Sequence, residues 1–224
     1  MGKNIRFRFC KTEKVRFLSH LDLLRTMERA LRRAQLPIAF SGGFSPKPII
    51  SFASALPVGI LSKAEYADFT FSQAVDPLEF QTRYNEHLPS GLKVLQARLR
   101  PADAPALMQI VDTADYRLFL PGKTLSEMEK RLDWLLALDT FLVERQTKRG
   151  KRKVNVRPLL LETPEIKDGC RGLILCCRCA VGQKGNLRME ELGMMLGFDH
   201  FSSKITRTAL LVRDGGKYSP PLKN

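Results

Sequence analysis

Four arginines, Arg25, Arg29, Arg32 and Arg33, recur at helical spacing between Ser19 and Pro37. At about 100° per residue they gather on one side of a helix, opposite Leu23, Leu24, Met27, Ala30, Leu31 and Ala34. A guanidinium donates two parallel hydrogen bonds from a planar fork and is weakly hydrated, so such a stripe suits phosphate. A solvated helix face is the other outcome, but that face ordinarily mixes signs, and only Asp22 and Glu28 offset these four arginines. The stripe leads into Ser41-Gly-Gly-Phe-Ser-Pro-Lys-Pro. Gly42 and Gly43 let the backbone approach a ligand and turn N–H groups toward an anion. Phe44 has two readings, stacking on a base or packing into the core, and Lys47 can reach a phosphate. The loop matches neither the P-loop nor the dinucleotide fingerprint, so its place directly after the arginines is what singles it out.

A third cluster lies between residues 145 and 153, where Arg145, Lys148, Arg149, Lys151, Arg152 and Lys153 surround Gly150. Basic side chains at a hairpin tip repel one another unless a polyanion neutralises them, although a solvated hairpin is the plainer alternative. Lipid headgroups fit less well, because no basic amphipathic helix with exposed large apolar residues accompanies the cluster.

Acid–base and metal chemistry is thin. His20 stands at the start of the arginine helix near Asp22, where it can act as a general base or simply pack. His87 and His200 lie in contexts that suggest nothing more. Of five cysteines, Cys177 and Cys179 share one face of an expected strand and Cys176 takes the other. No second pair at ligand spacing joins them, so we read them as small buried hydrophobes and expect neither metal nor cofactor. No Ser-His-Asp or Cys-His arrangement can be traced.

These residues need elements to hold them. Ile5–Phe9 alternates apolar and basic residues as a half-buried strand does, and Val15–Leu18 is expected to continue it. Ser19 caps the arginine helix, with Asp22 in a shortened capping box, and Pro37 closes it. Strands are expected at 38–40, 49–53 and 64–71, a helix over 77–88 with Asp76 as cap and Pro77 at its first position, and a strand at 93–99. That βαββαβ order is the ferredoxin-like one. After a Pro- and Ala-rich linker at 101–106, a similar order returns. It comprises a strand at 116–120, a helix over 124–138, a hairpin of 141–145 with 154–161, a strand at 173–181, a helix at 188–196 and a strand at 205–212. The expected architecture is therefore α+β, two tandem ferredoxin-like domains at 1–100 and 107–214, followed by a frayed tail at 215–224.

The whole chain has 224 residues, a formal charge of +14 and a pI near 9.9, with 44% hydrophobic residues. That is the composition of a folded protein, and the charge surplus favours contact with nucleic acid or an anionic membrane surface over a merely basic soluble protein. It has no apolar run long enough to span a bilayer and no signal-peptide core, which predicts a cytoplasmic protein without a membrane partner.

The segments Ser19-His-Leu-Asp-Leu, Glu28-Arg-Ala-Leu-Arg-Arg-Ala, Ser41-Gly-Gly-Phe-Ser-Pro-Lys-Pro, Ser51-Phe, Ala55-Leu-Pro-Val-Gly and Glu65-Tyr resemble a bacterial family of radical SAM-linked proteins, a DUF2344-type domain of unknown function. The likeness is looser in the second half, at Lys151 to Leu160 and Arg207-Thr-Ala-Leu. The family loop often carries an acid and a histidine where Gly42 and Lys47 stand here. The resemblance implies work beside a cobalamin-binding radical SAM enzyme, in RNA modification. The expected function is a non-catalytic RNA-binding module that presents RNA to such a partner. Two other readings stay open: a metal-independent RNA endonuclease with His20 as base, and an adaptor whose basic surface docks an acidic enzyme.

Overall fold

The apolar–basic alternation near the N-terminus becomes β1 (Asn4–Lys11), which buries Ile5, Phe7 and Phe9 on one face and turns Arg6 and Arg8 to the other. The computed structural model describes residues 3–147 and 150–222. The chain divides into two units, Met1–Val111 with Ala209–Asn224, and Asp112–Thr208. Both are mixed α+β with mostly antiparallel strands.

In the first unit β1 is followed by α1 (His20–Arg33), β2 (Ile50–Phe52), β3 (Leu61–Thr70), α2 (Pro77–His87), β4 (Leu92–Leu99) and the single turn α3 (Leu107–Ile110). β1 lies between β4 and β3, and β2 pairs with β3, every pairing antiparallel. The apolar face of this sheet packs against α1 and α2. Phe7 stands at the centre, its ring centroid 4.6 Å from Phe69 and 5.2 Å from Phe80, and Phe80 stacks on Tyr84. Each such aromatic contributes roughly 1.5–3 kcal/mol by leaving water.

The caps follow the sequence. Asp76 Oδ1 accepts from the N–H groups of Leu78 and Glu79, both at 2.9 Å, and Pro77 opens α2. Ser19 Oγ accepts from the Asp22 amide at 3.2 Å and donates to the Asp22 carboxylate at 2.6 Å. Asp22 is too short to reach back to the Ser19 amide as a glutamate would, so half of the capping box becomes this hydroxyl–carboxylate contact.

Three expectations for this unit need correction. Residues Glu13–Val15 form a 3-10 turn rather than leading into more strand. The buried Lys11 ammonium fixes that turn by donating to the carbonyls of Arg16 and Leu18 at 2.9 and 3.0 Å. The segment 38–40 makes only isolated bridges, Ile38 to Phe71 and Phe40 to Pro48, since Pro37 and Pro48 supply no ladder N–H. β3 also begins at Leu61, earlier than the apolar pattern suggests.

The second unit runs β5 (Thr113–Pro121), α4 (Leu125–Leu136), β6 (Leu142–Thr147), β7 (Gly150–Asn155), β8 (Glu165–Gly169), β9 (Gly172–Ala180), α5 (Met189–Leu196) and β10 (Lys204–Asp214), of which residues up to Thr208 belong here. Its strand order is β10-β5-β9-β8, while β6 and β7 form a separate two-stranded hairpin. The sequence puts the second strand of that hairpin at 154–161. Instead β7 ends at Asn155, Arg157–Leu159 turn into a 3-10 helix, and the unanticipated β8 lies beside β9. α4 opens with the expected capping box between Thr124 and Glu127. Lys217–Ser219, within the segment read as a tail, form β11 against Val212–Asp214.

Candidate nucleic-acid interface

α1 separates its two faces as its spacing requires. Leu23, Met27, Ala30 and Leu31 are buried against the first unit's sheet, and Arg25, Arg29, Arg32 and Arg33 are all exposed. The four arginines are not equivalent. Arg25 stands 3.8 Å from the Asp22 carboxylate, a loose exposed pair. Arg33 Nη2 donates to the His87 carbonyl at the end of α2 at 2.7 Å, so part of its donor capacity holds two helices together. Arg29 and Arg32 have no ion pair or hydrogen bond among the described residues, which leaves their forks open to an external oxyanion.

The Gly-rich loop closes on itself. The Ser41 amide donates to the Lys47 carbonyl at 2.8 Å, and the Lys47 amide donates to Ser41 Oγ at 3.1 Å. Gly43 sits at φ +100°, a backbone region that favours glycine, and open space surrounds both Gly42 and Gly43. Phe44 is wholly exposed at the loop tip, which removes the core reading of that residue, and the Lys47 side chain is exposed as well. A phenyl ring held out in water, in the same loop as an exposed lysine, offers a face on which a base can stack.

In the second unit, Lys151, Arg152 and Lys153 are exposed along β7, and Lys151 pairs with Glu144 across the hairpin at 2.8 Å. Lys148 and Arg149 lie outside the described residues. Arg145, counted with this cluster in the sequence, is structural. Its Nε and Nη2 each donate at 2.7 Å to the buried Glu191 carboxylate at the start of α5, and Nη2 also reaches the Asn186 carbonyl. Val143 on the same strand is buried, so the hairpin base is anchored while its cations face solvent.

His20 is half-buried, its ring set edge-on to Phe52 at 5.2 Å and 75°. Asp22, the carboxylate expected to tune it, is engaged by Ser19 and Arg25. Cys177 and Cys179 are buried on one face of β9 with their sulfurs 3.8 Å apart, and Cys176 is on the other face, as the alternation predicts. The hydrogen bond to Cys179, then burial, pushes the Cys177 thiol well above its usual range, so it stays protonated and unreactive. No group of three or more His, Cys, Asp or Glu able to hold a metal occurs among the described residues.

The basic residues that the sequence did not single out lie on the other face of the first unit's sheet. Arg6 pairs in register with Asp68 and Arg98, and Arg8 with Tyr66 and Gln96. Arg6 grips Asp68 with two parallel bonds at 2.8 and 2.9 Å, and Arg100 Nε comes within 3.4 Å of the same carboxylate. The alternation Ile5-Arg6-Phe7-Arg8-Phe9 carried this signal. It marks a strand whose second face is cationic, and only the register shows what stands opposite.

Residues 4–189 match the family described as "Uncharacterized protein conserved in bacteria (DUF2344)", and the chain belongs to that family. No curated protein matches it. Among solved structures it is similar to a chain of a crystal structure of a Cbf5-Nop10-Gar1 complex, at 9% identity and a TM-score of 0.45. That likeness covers 93% of this chain and 49% of the other, so this chain spans about half the length of its structural neighbour. No helix among the described residues is long and apolar enough to cross a membrane.

Proposed function

We propose that this member of the uncharacterized bacterial family is a non-catalytic RNA-binding module that presents RNA to a cobalamin-dependent radical SAM enzyme. The observation that carries the reading is the solvent-facing row of Arg25, Arg29 and Arg32 on α1, in which Arg29 and Arg32 have no partner among the described residues. Exposed guanidiniums left without carboxylates repel one another, and phosphates relieve that repulsion while releasing counterions. The wholly exposed Phe44, with Lys47 beyond it in the same loop, adds a stacking surface to the charge. On the second unit Lys151, Arg152 and Lys153 offer another cationic strip.

The strand orders β4-β1-β3-β2 and β10-β5-β9-β8 support the inference that both units are ferredoxin-like, the second carrying the β6–β7 hairpin as an insertion. A radical SAM partner and a cytoplasmic location belong to the same proposal. The first of these follows from the resemblance stated for the sequence.

The test is a salt titration of binding to a labelled single-stranded RNA. The logarithm of affinity should fall linearly with the logarithm of salt, by roughly 0.7 for each phosphate neutralised. Arg29→Glu with Arg32→Glu should lower both the affinity and that slope. Binding indifferent to salt, or unchanged in the double variant, removes the proposal. Retention of a radical SAM enzyme on the full chain after nuclease treatment would support direct partnership, and loss of it would leave RNA as the link.

A further inference from the structure

A cleft of about 470 Å³ opens in the first unit on the sheet face opposite α1. Its floor is the end of β1 and β4, through Arg6, Arg98 and Leu99. One wall is the segment after β4, with Pro101 and Pro105, and the other is the C-terminal stretch Ser219–Leu222 with Val212 and Asp214 from β10. The volume falls within the roughly 300–1,000 Å³ typical of small-molecule sites.

Three features of the lining define what fits. The first is charge. Arg6, Arg98 and Arg100 bring three guanidiniums, against Asp68 beneath them and Asp214 at the rim, so the cleft keeps one uncompensated positive charge. Arg6 is fully engaged, by Asp68 and by the carbonyls of Pro105 and Pro221. Arg98 is exposed with no ion pair or hydrogen bond among the described residues. Arg100 donates to the Ala104 carbonyl, and its buried Nε lies 3.4 Å from Asp68 Oδ2.

The second feature is shape. Pro101, Pro105, Pro220 and Pro221 present rigid apolar rings that suit a flat body and offer no backbone N–H of their own. The third is Asp214, a carboxylate at the rim that would take a hydrogen bond from an amino or hydroxyl group.

We propose that this cleft binds a 5′-mononucleotide, its phosphate held by Arg98 and Arg100, its base between the proline walls and a donor group directed to Asp214. The site does not depend on the RNA-binding reading, because it uses the opposite face of the sheet and none of the arginines of α1.

Ligand-observed NMR and calorimetry on the full chain with AMP, GMP, CMP and UMP test it, with adenosine and inorganic phosphate as the two halves of the ligand. At least one mononucleotide should saturate a single site. The nucleoside and phosphate alone should each bind at least about tenfold more weakly. Arg98→Glu, an exposed position that folding does not require, should weaken binding by at least about tenfold, and Arg98→Lys should retain most of it. Arg29→Glu should leave it unchanged. The proposal is overturned if none of the four binds at about 5 mM, far above the range of a specific site. It is equally overturned if phosphate or adenosine alone binds as well as the nucleotide, or if Arg98→Glu binds as the wild type does.

Discussion

Arg33 and Arg83 cap each other's helices. Arg33 Nη2 on α1 donates to the His87 carbonyl that ends α2, and Arg83 Nη2 on α2 donates to the Ala34 carbonyl that ends α1, each at 2.7 Å. Both guanidiniums thus satisfy carbonyls that a helix end leaves without an intrahelical partner, and both place positive charge at the negative pole of the helix dipole. Arg83 also reaches the Gln35 carbonyl, and Glu79 holds it from one turn back.

This exchange divides the arginines of α1 by role. Arg83→Ala should lower unfolding free energy by about 1–2 kcal/mol and Arg33→Ala by about 1 kcal/mol, from lost carbonyl bonds and charge. Arg29→Ala and Arg32→Ala should each stay within about 0.5 kcal/mol of wild type, as expected of exposed residues without partners. Urea denaturation of the four variants measures the division. Equal losses across all four would refute it.

Asp68 is the hinge of the opposite sheet face. Its carboxylate receives two bonds from Arg6 and stands 3.4 Å from Arg100, with Arg6 and Asp68 both buried. Asp68→Ala leaves buried guanidinium charge without a counterion, and the expected cost is about 3–5 kcal/mol. Thermal and denaturant unfolding should both register it. A loss below about 1 kcal/mol would mean the pair behaves as a surface ion pair.

How far these roles could be read beforehand depended on the range of the cause. Local chemistry was legible: Asp76 and Thr124 cap their helices, and the alternation in β1 set its two faces. The amphipathic spacing of α1 put all four arginines in solvent. Long-range pairing was not legible. β8 contains a single large apolar residue, Ile166, so no periodicity announces it, and its pairing with β9 decides the strand order. Likewise, Arg33 and Arg145 look like their neighbours in sequence, and only the arrival of His87 and Glu191 separates them from the exposed cations.

Tyr84 links the core to alkaline stability. Its ring is buried among Phe7, Phe69 and Phe80, and its hydroxyl donates to the Met27 carbonyl at 3.0 Å. Burial raises its pKa well above the usual value near 10, against a smaller lowering by the Arg33 charge. The folded state therefore favours the neutral phenol. The resulting stability is fully present below the unfolded pKa and is lost as pH rises past about 10. Tyr84→Phe should cost about 1 kcal/mol at neutral pH through the lost hydrogen bond, yet decline less steeply than wild type in strong alkali. Parallel alkaline limbs for the two proteins would show that Tyr84 does not contribute to that limb.

Phe44 offers the cleanest separation of folding from binding. Its side chain is wholly exposed, and it follows Gly43, whose φ of +100° turns the chain at the loop tip. Removing the ring therefore withdraws nothing from the core, and Phe44→Ala should leave the unfolding free energy within about 0.5 kcal/mol of wild type. Under the RNA-binding reading the same change removes a stacked base, worth about 1–3 kcal/mol. Stacking carries no charge, so affinity should fall by roughly five- to a hundredfold while the salt slope stays as in wild type. Arg29→Glu should show the converse, a shallower slope with the stacking contribution intact. Filter binding of both variants across a salt series compares them directly. If Phe44→Ala binds as tightly as wild type, the loop is no platform for a base, and α1 and the β7 cations would have to carry the interaction alone.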